Sequence, residues 1–289
     1  MTPKLYHLHA LSALHCGTGQ SIGVIDLPIA RDRASNLPLV PGSSLRGVLR
    51  DNFASETGDA AENLEKSLFG PRKISGNDDS YAGALAVGDA HLLLLPIRAL
   101  AGIVAYATCP FVLRRYARDV SKAPAIPTPA ATQALHACDN LNKVGDKIIL
   151  EDLDLDAKES ADVSAWAQAI AKTIHPDDKE AQDDLCQRFL VLPDSVFAFL
   201  AETATEIRAR IAIDEKTGTV KKGALWYEEN LPAETVLWGV YALADSRLKG
   251  DTAKAAELTN KIPASLILQI GGKAGVGRGL TRFLNGDSK

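Results

Sequence analysis

Cysteine, methionine and aromatic residues are scarce in this sequence, and long apolar runs are missing. Of 289 residues, four are Cys, one is Met, three are Trp, six are Tyr and seven are Phe. Cys16, Cys109, Cys138 and Cys186 form no CxxC pair and have no His at zinc-finger spacing, which argues against a zinc module or a dithiol redox motif. Scattered cysteines without a secretion signal are expected to be free thiols. His15-Cys16 is the one adjacent pair, and alone it carries little metal signal. The best candidate span, Leu92–Leu95, is strand-length, far short of the ~20 residues that cross a bilayer. The segment after Met1–Lys4 lacks the apolar core of a signal peptide, so no membrane partner and a cytoplasmic location are expected.

What is present is the composition of a globular protein. Hydrophobic residues make up 46% and charged residues 24%, which excludes disorder, collagen and coiled coil. A chain of this length hides roughly 75% of its unfolded surface, so it needs neither disulfide nor metal to fold. The net charge of −4 is unevenly placed. Residues 1–50 hold five basic groups against two acids, residues 261–289 hold five against Asp287, and residues 139–194 hold fourteen acids against six bases. A local basic surface can attract phosphates whatever the total, because screening confines its field to ~8 Å.

Leu5–Leu14 reads as a strand by length and apolar content. The glycine-rich loop Gly17–Gly23 follows, and then Val24-Ile-Asp-Leu-Pro28. Pro41-Gly-Ser-Ser44 opens a helix, with Ser43 and Ser44 able to cap free amides and Leu45, Val48, Leu49 and Phe53 at helical spacing. Ala82–Ile97 and Ala99–Cys109 predict an antiparallel strand pair, and Pro110–Val120 a helix. Residues 121–135, rich in Pro, Ala and Thr, mark a linker, and 136–206 are acidic with helical periodicity. Ile207, Ala209, Ile211 and Ile213, the turn Asp214–Gly218 and Val220–Tyr227 predict a β-hairpin. Val236–Ala242 alternates, a short helix covers 250–260, and Ser265–Ile270 is a final strand.

This order predicts an α+β sandwich with helices on one face of an antiparallel sheet. It matches the βαββαβ ferredoxin-like (RRM-like) pattern. The expected units are a core of 1–120 and 239–289, an acidic helical insertion of 121–206, and a hairpin of 207–238.

Gly271-Gly-Lys-Ala-Gly-Val-Gly-Arg-Gly279 holds five Gly in nine positions with two cations, Lys273 and Arg278. It is not a Walker A loop, because Ala274 stands where Ser or Thr belongs. It is not a dinucleotide fingerprint, since no acidic residue follows ~20 positions on. On composition it is equally a phosphate- or base-approaching backbone and a surface turn.

Four segments together resemble a known family. Pro41-Gly-Ser-Ser-Leu-Arg-Gly47 and Gly271–Gly279 look like the paired signatures of RAMP proteins, the ferredoxin-like RNA binders of CRISPR systems. His15-Cys-Gly-Thr-Gly19 with Ile22–Pro28, and Gly218–Pro232, are similar to the repeating backbone subunits of type III-B (Cmr) effector complexes. The likeness covers 1–120 and 205–285 well and the acidic middle least. It implies a filament of copies of the chain, with other Cmr subunits, along a CRISPR guide RNA, the hairpin acting as a thumb wedged into the guide–target duplex. It implies cleavage of single-stranded target RNA by an acidic loop residue, and the matching position is Asp26.

The resemblance thus makes Asp26 the catalytic and Mg²⁺-holding residue, the ion neutralising charge as a ribose 2′-OH attacks in line. His15 is a second catalytic candidate, since imidazole titrates near neutrality. Ser43, Ser44, Arg46 and Arg50 are expected at phosphates near the helix start, and Gly271, Gly272, Lys273, Gly275, Gly277 and Arg278 at the guide from the other side. Trp226 and Tyr227 are expected to stack on or part bases, with Glu228 and Glu229 assisting at the scissile site. An RNP1 aromatic pattern is missing, so the grip should rest on the RNA backbone. Two alternatives remain: a scaffold that binds RNA without cutting it, and a stand-alone RAMP endonuclease that processes precursor RNA.

Overall fold

The computed structural model describes residues 3–21, 23–54, 58–72 and 80–286; Ile22 of the second motif, and Asp287 and Lys289 of the terminal charge count, lie outside them. The chain has a mixed α+β fold. Its centre is the strand Pro3–Ala10, which pairs antiparallel with Val236–Leu243 on one side and Leu280–Gly286 on the other. Ala90–Arg98 follows beyond Val236–Leu243, and Ser265–Gln269 lies outside Leu280–Gly286. Among the described residues these strands belong to one thirteen-stranded sheet, whose order then continues through Val104–Thr108, Phe189–Val191, Gln133–His136, Leu153–Glu159, Lys147–Leu150 and Lys143–Val144.

Both faces of the central strand are covered, not one. Alternating side chains point to opposite faces. Tyr6 stacks on Phe283 at 5.6 Å and shares an apolar void with Leu45 and Leu49 of the helix Gly42–Ala54. His7 faces the other way and meets Tyr116 edge-on at 5.7 Å, beneath the helix Pro110–Tyr116. Trp166, from the helix Ala161–Ile174, and Trp238 pack on the same Tyr116 ring. His7 and His9 are therefore buried residues on one face of this strand.

The third central strand differs from the expected one. Ala90–Arg98 and Val104–Thr108 do pair antiparallel. Val236–Leu243, however, inserts between Pro3–Ala10 and Ala90–Arg98, and Val104–Thr108 is displaced outward. The long excursion therefore leaves the core after the second central strand. Leu280–Gly286 is a further strand beyond the expected final one, and the glycine loop is the turn between the two.

Residues 121–206 are not purely helical. They carry the strands Gln133–His136, Lys147–Leu150, Leu153–Glu159 and Phe189–Val191, all in the main sheet, besides helices Ala161–Ile174, Lys179–Gln187 and Asp194–Thr203. In Leu153-Asp-Leu-Asp156 the acids alternate with leucines, and Leu155 is buried while Asp154 and Asp156 are exposed. That period of two is a strand signal which the acidic, Ala-rich composition hides. No helix among the described residues is long and apolar enough to cross a membrane.

Candidate functional site

The hairpin Glu206–Ile213 and Val220–Asn230 forms its own two-stranded sheet. Asp214 Oδ1 accepts the amides of Lys216 and Thr217, and Gly218 takes the left-handed conformation, so the expected turn closes it. Alternation divides its side chains. Arg208, Arg210, Trp226 and Glu228 share one face; Ile207, Ala209, Ile211, Leu225 and Tyr227 share the other. Trp226 is half-buried and donates its Nε1–H to Glu228 Oε1 at 2.7 Å, so it packs the root of the hairpin. Tyr227 is 40% exposed and free to meet a ligand.

Asp26 docks on this root. Leu27 bridges parallel to Glu228, with Leu27 N–H donating to the Tyr227 carbonyl at 3.1 Å and Glu229 N–H to the Leu27 carbonyl at 3.0 Å. The Tyr227 amide donates to Asp26 Oδ2 at 2.8 Å. Asp26 Oδ1 has no hydrogen-bond partner among the described residues, and the side chain is half-buried. The backbone thus fixes one carboxylate oxygen and leaves the other to a ligand.

The glycine loop reaches the same root. Gly271 adopts φ +79°, and a Cβ there would collide with the His15 carbonyl, so only glycine fits the approach. Gly272 N–H donates to that carbonyl at 2.9 Å. Lys273 Nζ then pairs with Glu228 Oε1 at 2.9 Å, and Arg210 Nε lies 4.0 Å from the same oxygen. Burial alone would raise the Glu228 carboxyl. The hydrogen bonds from Lys273 and Trp226 and the charges of Lys273 and Arg210 outweigh it, and hold the group below the usual carboxylate range. Gly275 and Gly277 lie on the exposed crest of the loop. Arg278 is half-buried, has no ion-pair partner among the described residues, and its Nε is unbonded.

Several of the expected site residues are held by partners inside the chain. Glu228, with a side chain 2% exposed, ties the glycine loop to the hairpin. Glu229 pins the root, accepting from Arg31 at 2.5 Å, the Ile29 amide at 3.1 Å and Thr205 at 3.1 Å. His15 is buried, and its Nδ1–H donates to the Glu229 carbonyl at 2.6 Å. Its Nε2 lies 2.6 Å from where a Cβ on Gly17 would stand. His15 is a staple between strand end and hairpin.

Arg46 and Arg50 turn inward. Arg46 donates to the carbonyls of Phe69 at 2.8 Å and Leu85 at 3.4 Å, with its guanidinium over the Phe69 ring. Arg50 pairs with Glu65 at 2.5 Å and donates to the Gly70 carbonyl at 2.6 Å. Both therefore hold the C-terminal end of the helix Asp59–Phe69, where carbonyls carry partial negative charge. Both guanidiniums have partners inside the fold.

Ser43 and Ser44 lie inside the first helical turn and are not its cap. Asp89 Oδ1 takes the Gly42 amide at 2.7 Å. No hydrogen bond or ion pair among the described residues joins this helix start to the glycine loop. The residues that sequence reading missed are Arg210, whose partner Glu228 lies on the facing strand of the same hairpin, and Arg31, whose partner Glu229 is 198 positions away.

The central sheet, the hairpin beside it and a cation-bearing glycine turn at its root define a class. The chain belongs to the RAMP superfamily, whose family model matches residues 7–282. It is 34% identical over 287 residues to the CRISPR system Cmr endoribonuclease Cmr4 of Pyrococcus furiosus, spanning 98% of this chain and 95% of that one. A crystal structure of oligomeric Cmr4 from the same organism is similar at a TM-score of 0.72 and 26% identity, covering 100% of this chain and 99% of that one. A chain of the type III-B Cmr-beta complex bound to cognate target RNA has a TM-score of 0.72 at 18% identity, covering 99% and 97%, a likeness of fold.

Proposed function

We propose that this chain is a backbone subunit of a type III-B (Cmr) effector, stacking with copies of itself and other Cmr subunits along a guide RNA and cutting complementary target RNA at regular intervals. One observation carries the reading: Asp26, the hairpin root and the glycine loop converge on Tyr227–Glu228. The central strand order, Leu280–Gly286, Pro3–Ala10, Val236–Leu243, Ala90–Arg98, supports a ferredoxin-like core. The hairpin, paired apart from the main sheet and exposing Leu225 and Tyr227, is the thumb.

Guide phosphates meet the exposed amides of the glycine loop, Arg278 and Lys273, the last after yielding its pair with Glu228. Tyr227 meets bases. At the cut, the target's 2′-oxygen loses its proton and attacks phosphorus, the P–O5′ bond breaks, the departing 5′-oxygen takes a proton from water, and the products carry a 2′,3′-cyclic phosphate and a 5′-hydroxyl. The Tyr227 amide aims Asp26, and the free Oδ1 accepts from the attacking hydroxyl.

Asp26 also fits a Mg²⁺ ion of the kind that keeps most of its waters, with one free carboxylate oxygen to offer and RNA phosphates completing the shell. Among the described residues no three ligating side chains gather, so this chain builds no cage for the ion. When bound, the metal would supply neutralisation of charge on the reacting phosphate.

The test is Asp26→Asn in the assembled complex. Target binding is expected within twofold of the unsubstituted complex, with cleavage at least a hundredfold slower. Unchanged cleavage by that variant removes Asp26 from the reaction and favours a scaffold role.

A further inference from the structure

We infer that the cavity between the loop 32–37, the helix Pro110–Tyr116 and the helix Asp194–Thr203 is a binding site for a nucleoside 5′-phosphate unit. The cavity holds about 820 Å³, within the range of small-molecule sites, and shares no lining residue with the Asp26, Glu228 and Lys273 group. It goes beyond the cleavage reading and does not depend on it.

Its walls combine the two surfaces a nucleotide needs. Leu37 and Phe197 are buried apolar floor, and Phe111 leaves 39% of its surface exposed. The Arg115 guanidinium lies over the Phe111 ring, 5.7 Å from its centroid, and an aromatic base can extend that stack.

Three arginines, Arg114, Arg115 and Arg118, line one wall against two acids. Asp194 pairs with Arg114 at 3.2 Å, and Asp32 with Arg115 at 3.4 Å. Arg118 is exposed and has no carboxylate partner among the described residues; its backbone amide and its Nε both donate to the Arg115 carbonyl, at 3.2 and 3.5 Å. The cavity thus carries one cation in excess, where a phosphate is best placed. The carboxylates of Asp32 and Asp194 each accept a backbone amide, from Ala34 and Phe111, besides the arginine, and their remaining lone pairs can accept the hydroxyl donors a ribose offers. A bare anion would leave the apolar floor unused, and an apolar ligand would leave Arg118 unmatched.

The same unit can come from a free nucleotide or from an RNA strand. Calorimetric titration of the full chain with adenosine 5′-monophosphate is expected to show saturable binding, at least tenfold tighter than inorganic phosphate alone. Phe111→Ala and Arg118→Gln, both at exposed positions, are each expected to weaken it about tenfold. Asp26-dependent target cleavage by the assembled complex should be unchanged in both, which separates failure of this site from failure of the cleavage reading. Displacement of the mononucleotide by a short single-stranded RNA assigns the site to RNA; no displacement assigns it to free nucleotide. Equal binding of phosphate and mononucleotide, or an unchanged affinity in Phe111→Ala, overturns the proposal. Should a variant fail to fold, photocrosslinking of 8-azido-adenosine 5′-monophosphate to the unsubstituted chain decides, with adducts on peptides containing 109–118 or 194–198 expected and adducts elsewhere refuting it.

Discussion

Replacing Glu228 by Gln separates the two jobs of Lys273. In the free chain the lysine is paired at 2.9 Å with a carboxylate whose side chain is 2% exposed, while its own is 32% exposed. Gln keeps the bond to Trp226 and removes the charge. Breaking a fully buried pair costs about 3–5 kcal/mol, but here the lysine can partly re-solvate, so about 1–2 kcal/mol is expected. That lowers the melting temperature by a few degrees in a chain of this size.

The released ammonium is then available to RNA without competition. Guide RNA should bind about fivefold or more tighter, because Lys273 reaches its phosphate without first leaving a carboxylate, while the slope of log affinity against log salt stays the same, the number of phosphate contacts being equal. Filter binding of guide RNA between low and moderate salt measures it, with thermal melts alongside. An affinity and a melting temperature both equal to those of the unsubstituted protein would refute the claim that Glu228 holds Lys273.

Two further outcomes follow from geometry. Arg46→Ala removes two backbone-carbonyl partners and a ring contact, and should destabilise the chain by about 1–3 kcal/mol in urea while the salt slope of RNA binding stays unchanged; a flatter slope would return Arg46 to the RNA surface. His7 is fully buried, and burial lowers it from 6.5 to about 3, so the folded chain keeps it neutral while the unfolded chain protonates it. Its contribution to stability is full above pH 6.5 and is lost as pH falls towards 3, by about 1.4 kcal/mol per pH unit. Between pH 6.5 and 4.5, His7→Gln should lose roughly 2–3 kcal/mol less than the unsubstituted chain in urea titrations; parallel losses would contradict the assignment.

Local signals carried well where they were short-range. The Asp214–Gly218 turn, the hairpin on either side of it and the helix with Leu45, Leu49 and Phe53 on its buried face follow from period and turn chemistry, which act over a few residues. The strand Val236–Leu243 was visible as alternation, yet its place between Pro3–Ala10 and Ala90–Arg98 was not, because any alternating strand can fill that slot. The acidic strand Leu153–Glu159 was masked by its own composition.

The candidate site divides in the same way. Glycine at 271 and the cations beside it could be read as a backbone built for close approach, and Asp26 could be named from the resemblance of its flanking motif. The direction of each charge could not. Arg46 and Lys273 are both basic residues in signature segments, but one closes on Phe69 and the other on Glu228. Residue type and spacing determine which groups a segment can offer. Only the folded chain decides whether a carboxylate or carbonyl from a distant segment has already claimed them, because desolvated charges must find partners and those partners are set by tertiary packing.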